Sequence, residues 1–107
     1  MSKHEKPAAE IVVAVDEAQV QQCIQIRIDV FHHEQKFPLD TEIDEYDEPG
    51  RATHFLLRSV PDHRLMGTVR VVKKPSEYKL SRLCIHKEYR GMHFGEDLVK
   101  VRDVPLV

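Results

Sequence analysis

The stretch that most restricts how this chain can fold lies near its end. An apolar run, Leu83-Cys84-Ile85, leads through Arg90-Gly91-Met92-His93-Phe94-Gly95 into a helix-like segment, Glu96-Asp97-Leu98-Val99. Strand, glycine-bearing turn and helix in that order bring a helix start against the end of a sheet strand. Glycine accepts backbone conformations closed to other residues, and the first helical turn leaves N–H groups without partners. Such a turn can cradle an anion, and Arg90 adds a forked cation suited to pyrophosphate. The same spacing is common in ordinary tight turns, which is the competing reading. Glu96 and Asp97 in the first turn suit the helix dipole but oppose a nearby anion.

The rest of the chain predicts the order β-α-(α)-β-β-β-α. Residues 11–15 are a β-branched strand, and Asp16 caps a helix running from 17 to about 33. Its apolar face carries Val20, Ile24, Ile28 and Phe31, widened by Ile26 and Val30, with Arg27 in their midst as a charge that needs a partner. Phe37-Pro38 ends the helix, because a residue before proline disfavours the helical region. The acidic segment 40–48 predicts a short helix, and Pro49-Gly50 a turn. Strands follow at 52–59 and 65–73, a hairpin with Gly67 marking a bulge, then at 78–86, before a helix from Phe94 or Gly95 to about 102. Residues 1–9 read as a flexible start and 10–107 as a single domain.

A net charge of −2 argues against general nucleic-acid binding, but the charges are unevenly spread. Residues 34–48 hold seven acids and one lysine; residues 64–90 hold eight Lys/Arg and two acids. A basic half suits an anionic ligand and an acidic segment a cationic one; two solvated charged faces are the alternative. Cys23 and Cys84 each lie within an apolar pattern, which predicts buried free thiols in a reducing compartment. No apolar stretch is long enough to span a bilayer and no apolar leader is visible, so the expected location is cytoplasmic, with a nuclear one as the alternative, and no membrane partner.

Residues 82–95, Arg82-Leu83-Cys84-Ile85-His86-Lys87-Glu88-Tyr89-Arg90-Gly91-Met92-His93-Phe94-Gly95, resemble motif A of the GNAT N-acetyltransferases, Gln/Arg-x-x-Gly-x-Gly/Ala. Arg90 and Gly95 match it; His93 stands where the inner glycine is usual. A second block, residues 23–35, resembles the Arg-x-x-Val-Phe-x-x-Glu-Gln signature of the ElaA-like branch, here Arg27, Val30, Phe31, Glu34 and Gln35. The likeness runs from about residue 11 to 100. It implies an α/β (α+β) GNAT-like acyl-CoA N-acyltransferase fold, a mixed, mostly antiparallel sheet flanked by helices. Only the first two-thirds of that fold is expected, the chain reading as C-terminally truncated before the family's fifth strand.

The resemblance also implies acetyl-CoA as co-substrate and direct attack by a primary amine. Backbone groups of Leu83, Cys84 and Ile85 would pair with pantetheine, the Cys84 amide polarising the acetyl carbonyl. Arg90, Gly91, Met92, His93, Phe94, Gly95 and Glu96 would offer amides to the pyrophosphate, the His93 side chain either donating or lying in solvent. Glu34 and His54 are the candidate bases. Their bland readings are a helix-end acid or partner of Arg27, and a hydrogen-bonded strand-edge histidine. None of Tyr46, Tyr78 and Tyr89 matches the family's general acid. A nucleophilic role for Cys84 is rejected, since a mid-strand thiol is more often a core hydrophobe. Adjacent His32 and His33 diverge around a helix, so no metal is expected. The rival reading is a non-catalytic remnant that binds coenzyme weakly or dimerises through the edge of strand 78–86.

Overall fold

The computed structural model describes residues 6–38, 43–48 and 50–103. Four strands, β1 (Ala9–Val13), β2 (Thr53–Ser59), β3 (Leu65–Lys73) and β4 (Tyr78–Ile85), form one antiparallel sheet in the order β1-β2-β3-β4. A helical run, α1 (Glu17–Arg27) continued by a π-helical turn (Ile28–Glu34), and a shorter helix, α2 (Phe94–Val99), complete it. Alternation along the strands sends Phe55, Leu57, Val69 and Val71 against Phe94 and Leu98 of α2. Leu56 and Cys84 turn to the other face, where Cys23 and Ile26 of α1 and Val30 cover them. The α/β reading and element order therefore hold, with one helix on each face.

Asp16 caps α1 as expected, accepting from Gln19 N at 2.8 Å. Of the expected stripe Ile24, Ile26 and Val30 are buried, joined by Cys23 and Arg27, while Val20, Ile28 and Phe31 are only half-buried. The cause lies partly in the helix, which widens after Arg27: Gln35 N bonds to Val30 O, five residues back. Both cysteines are buried free thiols, and burial pushes the Cys23 thiol above its ordinary range. Ala9 already belongs to β1, and Lys6 Nζ reaches Asp97 Oδ2 at 2.7 Å; residues 1–5 lie outside the described residues. No described helix is long and apolar enough to cross a membrane.

Two irregularities shape β3 and β4. Leu57 pairs with Gly67 and Arg58 with Leu65, so Met66 is an extra residue beside the glycine. A Cβ on Gly67 would lie 2.8 Å from Cys84 O, so glycine lets β4 approach here. On the other side of β3, Thr68 pairs with Cys84 but Arg70 with Ser81, leaving β4 with a bulge around Arg82, whose φ is 54°. Among the described residues β4 has no neighbour on its outer side.

Candidate functional site

Leu83, Cys84 and Ile85 form the last part of β4, just beyond its bulge. Since among the described residues β4 pairs only with β3, its outer edge presents backbone donors and acceptors for another extended chain or ligand. His86 fixes the end of the strand, its Nδ1 2.9 Å from Leu65 O and its Nε2 3.2 Å from Asp29 Oδ2 on the π turn. The chain then passes through a short turn, Lys87–Tyr89, into Arg90 and Gly91.

Gly91 has φ 80°, a region open to glycine. His93 has φ 66°, in the left-handed region where most side chains are strained. The residue occupying the usual glycine position thus keeps a glycine-like backbone. Its ring is exposed and lies 3.1 Å from Glu96. Phe94 is buried under the sheet and anchors the start of α2.

A groove of about 270 Å³ brings the pieces together. Leu83, Cys84 and Ile85 line it from β4, Arg90 and Gly95 from the turn, and Val30, Phe31 and Gln35 from the π-helical end of the first helix. The widened helix had no distinct signal in the sequence, but Val30, Phe31 and Gln35 belong to the second block quoted above.

Glu34 faces Arg90 across this arrangement. The Arg90 guanidinium donates through Nε to Ile85 O at 2.9 Å, through Nη2 to Glu34 Oε2 at 2.7 Å, and through Nη1 to Glu34 Oε1. This fork holds the Glu34 carboxyl below its usual range and the guanidinium above its own. Glu34 also lines a second recess, of about 560 Å³, with Asp29, His33, His86, Lys87 and Glu88. Its partner is therefore Arg90 rather than Arg27.

His54 lies elsewhere, buried near the start of β2 on the α1 face. Desolvation holds its imidazole below the ordinary histidine range, outweighing the attraction of Asp47 4.0 Å away. Asp47 belongs to a buried ionic cluster. Arg27 grips it with Nη1 and Nη2 at 2.7 and 2.9 Å, and Arg70 reaches it at 3.1 Å. Arg70 also binds Asp44 at 2.6 and 3.0 Å, with Arg82 3.2 Å from the same carboxylate. Burial alone would raise the Asp47 carboxyl, but the arginine and Asp44 N–H bonds hold it far below the usual range. The acidic segment is therefore only partly available to a cationic ligand: Asp44 and Asp47 are held by Arg27, Arg70 and Arg82, because the predicted short helix (Glu45–Asp47) folds onto the sheet, and Glu45 and Glu48 lie 3.5 and 3.9 Å from Arg51. Residues 39–42 lie outside the described residues.

The Glu34–Arg90 turn, the β4 edge and the groove form one constellation; His54 and the ionic cluster form another. Among the described residues no group of three or more metal-ligating side chains is present.

The fold is shared with solved structures. A Lactobacillus plantarum protein described as an N-acetyltransferase superposes with a TM-score of 0.76 at 24% identity, over 88% of this chain and 64% of its own. Escherichia coli ElaA gives 0.73 at 23%, over 86% and 65%. An acyl-CoA N-acyltransferase from Pseudomonas aeruginosa gives 0.74 at 21%, over 87% and 66%. This chain spans less than two thirds of the first two. Among curated proteins none matches its sequence. The acetyltransferase (GNAT) domain family matches residues 26–96, which include both the π-helical turn and the Arg90–Gly95 turn. The chain belongs to the GNAT acetyltransferase family.

Proposed function

We propose that this chain binds acetyl-CoA and transfers acetyl to a primary amine by direct attack, residues 10–107 acting as one domain. The observation that carries this reading is the groove along β4, which unites Leu83, Cys84, Ile85, Arg90 and Gly95 with the π-helical turn. Its residues suit the coenzyme: a free strand edge for the pantetheine amides, a bulge that re-aims backbone groups near Cys84, and a forked cation at the far end. The co-substrate supplies a thioester, whose C–S bond breaks as the amine nitrogen forms its bond to carbon.

The remaining steps belong to the chain. Arg90 leaves Glu34 to meet the pyrophosphate, joined by backbone N–H groups of residues 91–96. The Cys84 amide polarises the acyl carbonyl. A base removes the ammonium proton before attack. Glu34 is a weaker base while Arg90 grips it and a stronger one once released. His54, neutral near pH 7 because it is buried, is the second candidate.

The test is the thermal midpoint of the chain with and without acetyl-CoA, followed by turnover against a set of amines. Ligand at ~100 times its dissociation constant adds about 2.7 kcal/mol, a rise of several degrees for a domain of this size. A cooperative melt without a rise overturns the reading. The open β4 edge favours one other reading, a coenzyme-binding module completed by a second copy of the chain. A dimeric mass in solution with no turnover would support it.

A further inference from the structure

His86 follows the last residue of β4, and each of its polar atoms is engaged. Its backbone N donates to Met66 O at 2.8 Å, and its carbonyl accepts from Tyr89 N at 2.9 Å. Ring Nδ1 lies 2.9 Å from Leu65 O at the start of β3, and ring Nε2 lies 3.2 Å from Asp29 Oδ2 on the π-helical turn. The other Asp29 oxygen accepts from Gln25 Nε2 at 2.8 Å, so α1, the π turn, β3 and the end of β4 meet at one imidazole.

Both ring partners are acceptors. A peptide carbonyl and an ionised carboxylate have no proton to give, so the two contacts together need N–H on both ring nitrogens, the imidazolium form. A neutral ring that keeps Nδ1–H on Leu65 O turns its Nε2 lone pair toward the carboxylate, and the link to the π turn is lost. The side chain is 21% exposed, so water can exchange that proton. The titratable groups around it are Asp29, His33 and Glu34 on the π turn and Lys87 and Glu88 on the turn after β4, all lining one recess. From β3 it meets the Leu65 carbonyl.

Asp29 and Glu34 stand near opposite ends of the π turn, and Val30 and Phe31, which line the groove with Leu83 and Ile85, lie between them. Glu34 ties one end to Arg90, which also holds Ile85 O; Asp29 ties the other end to His86. When Arg90 turns to a pyrophosphate the first tie is given up, and the His86 tie persists.

We propose that His86 is a positioning residue for the coenzyme: through Asp29 its imidazolium holds the π-helical turn against the ends of β3 and β4 while Arg90 exchanges Glu34 for the pyrophosphate. Acetyl-CoA binding therefore weakens when His86 loses its Nε2 proton. This role rests on the coenzyme reading above; the tie itself does not.

Asp29→Asn and Asp29→Ala, at a partly exposed position, separate the tie from its charge. The Asn amide can take the Gln25 N–H on its oxygen and give an N–H to a neutral Nε2, which keeps the tie without the imidazolium; Ala removes it. Acetyl-CoA affinity is measured by calorimetry below and above the His86 titration, located by the nitrogen shifts of its ring. Ratios are taken against Asp29→Ala, so that the coenzyme's own titration divides out. The native chain should bind about fivefold more tightly than Asp29→Ala below the titration, the scale of a partly exposed ion pair, and no more tightly above it. Asp29→Asn should exceed Asp29→Ala by the same factor at both. Equal affinity of the native and Asp29→Ala chains below the titration overturns the proposal. So does a pH response that survives in Asp29→Asn, the sign of plain attraction between an imidazolium and an anion. A second readout needs no coenzyme. In Arg90→Ala, which removes the Glu34 tie, amide exchange at residues 28–34, corrected for its intrinsic pH dependence, should be several-fold faster above the titration than below. Adding Asp29→Asn should remove the difference. If no chain binds acetyl-CoA, the function above is overturned, and the exchange then decides the tie on its own: a pH response supports it and none overturns it.

Discussion

Arg27 and Glu34 stand on the same helical run, and each belongs to a forked arginine–carboxylate pair, but the pairs sit in different surroundings. Arg27 is buried, and its partner Asp47 has a side chain only 3% exposed. Arg70 closes the cluster from β3. Glu34 and Arg90 are 30% and 40% exposed, at the mouth of the groove. The first pair has given up water and stays closed, since parting its members would take a buried charge from its forked partner without offering water in exchange. The second keeps water within reach, so each partner can exchange the other for a ligand at small cost. Similar chemistry thus fixes the 43–48 segment to the sheet in one place and leaves a replaceable contact in the other.

The sharpest way to break this comparison is Asp47→Ala. It takes the forked carboxylate from Arg27 and weakens the hold on Arg70, and removing one partner of a buried pair typically costs about 3–5 kcal/mol. Urea unfolding measures it. A loss below ~1 kcal/mol would mean that the cluster is wetter than its burial indicates. Replacing Arg27 and Asp47 together by Met and Leu should recover much of the loss, because no lone charge remains.

Acid separates the same groups by pH. The folded-state pKa of His54 lies below its unfolded value, so its contribution is complete above about pH 6.5 and is lost as pH falls from there. Asp44 and Asp47 are also lowered, and their contribution lasts down to about pH 4 before falling away. Stability should therefore decline in two stages on acidification, and His54→Gln should flatten the upper one. Glu34 is too exposed to add a visible stage.

Arg90→Ala tests the exposed pair from the cation side. Folding stability should change by under ~1 kcal/mol, while acetyl-CoA affinity falls roughly tenfold to a hundredfold, the worth of a hydrogen bond to a charged group. Isothermal titration reads the second and urea unfolding the first. Equal losses in both would make Arg90 structural.

The strands, the Asp16 cap and the hairpin were readable because each rests on local patterns: β-branched runs, a capping acid, and the turn at Pro61-Asp62-His63-Arg64. Arg27's need of a partner was readable too, since a charge inside an apolar stretch demands one. Which partner was not: Asp47 lies 20 residues away, and only the folding of the 43–48 segment onto β3 brings it there. The π-helical turn escaped for another reason, because its apolar residues also satisfy an ordinary helix period and the extra residue per turn leaves no local mark. The Arg90–Gly95 turn was legible as an anion cradle from its glycines and arginine, but Glu34's hold on Arg90 is a contact across 56 residues. Composition showed that the segment is acidic but not which of its acids are already paired, since Asp44 and Asp47 meet arginines distant in sequence.

The smallest effect expected carries the most information about the exposed pair. Glu34→Gln removes a carboxylate that competes with pyrophosphate for the Arg90 fork and leaves the side chain's shape. Stability should barely shift, and any shift should shrink at high salt, where exposed pairs are screened and buried ones are not. Acetyl-CoA affinity should rise about threefold, because the guanidinium no longer has to be taken from an anion. A fall in affinity would show that Glu34 positions Arg90 for the ligand instead of competing with it. Turnover then separates the two candidate bases. If kcat collapses while affinity rises, Glu34 is the group that takes the amine proton once Arg90 releases it. If kcat is kept, proton removal falls to His54, and its pH dependence should follow an imidazole held below the ordinary histidine range.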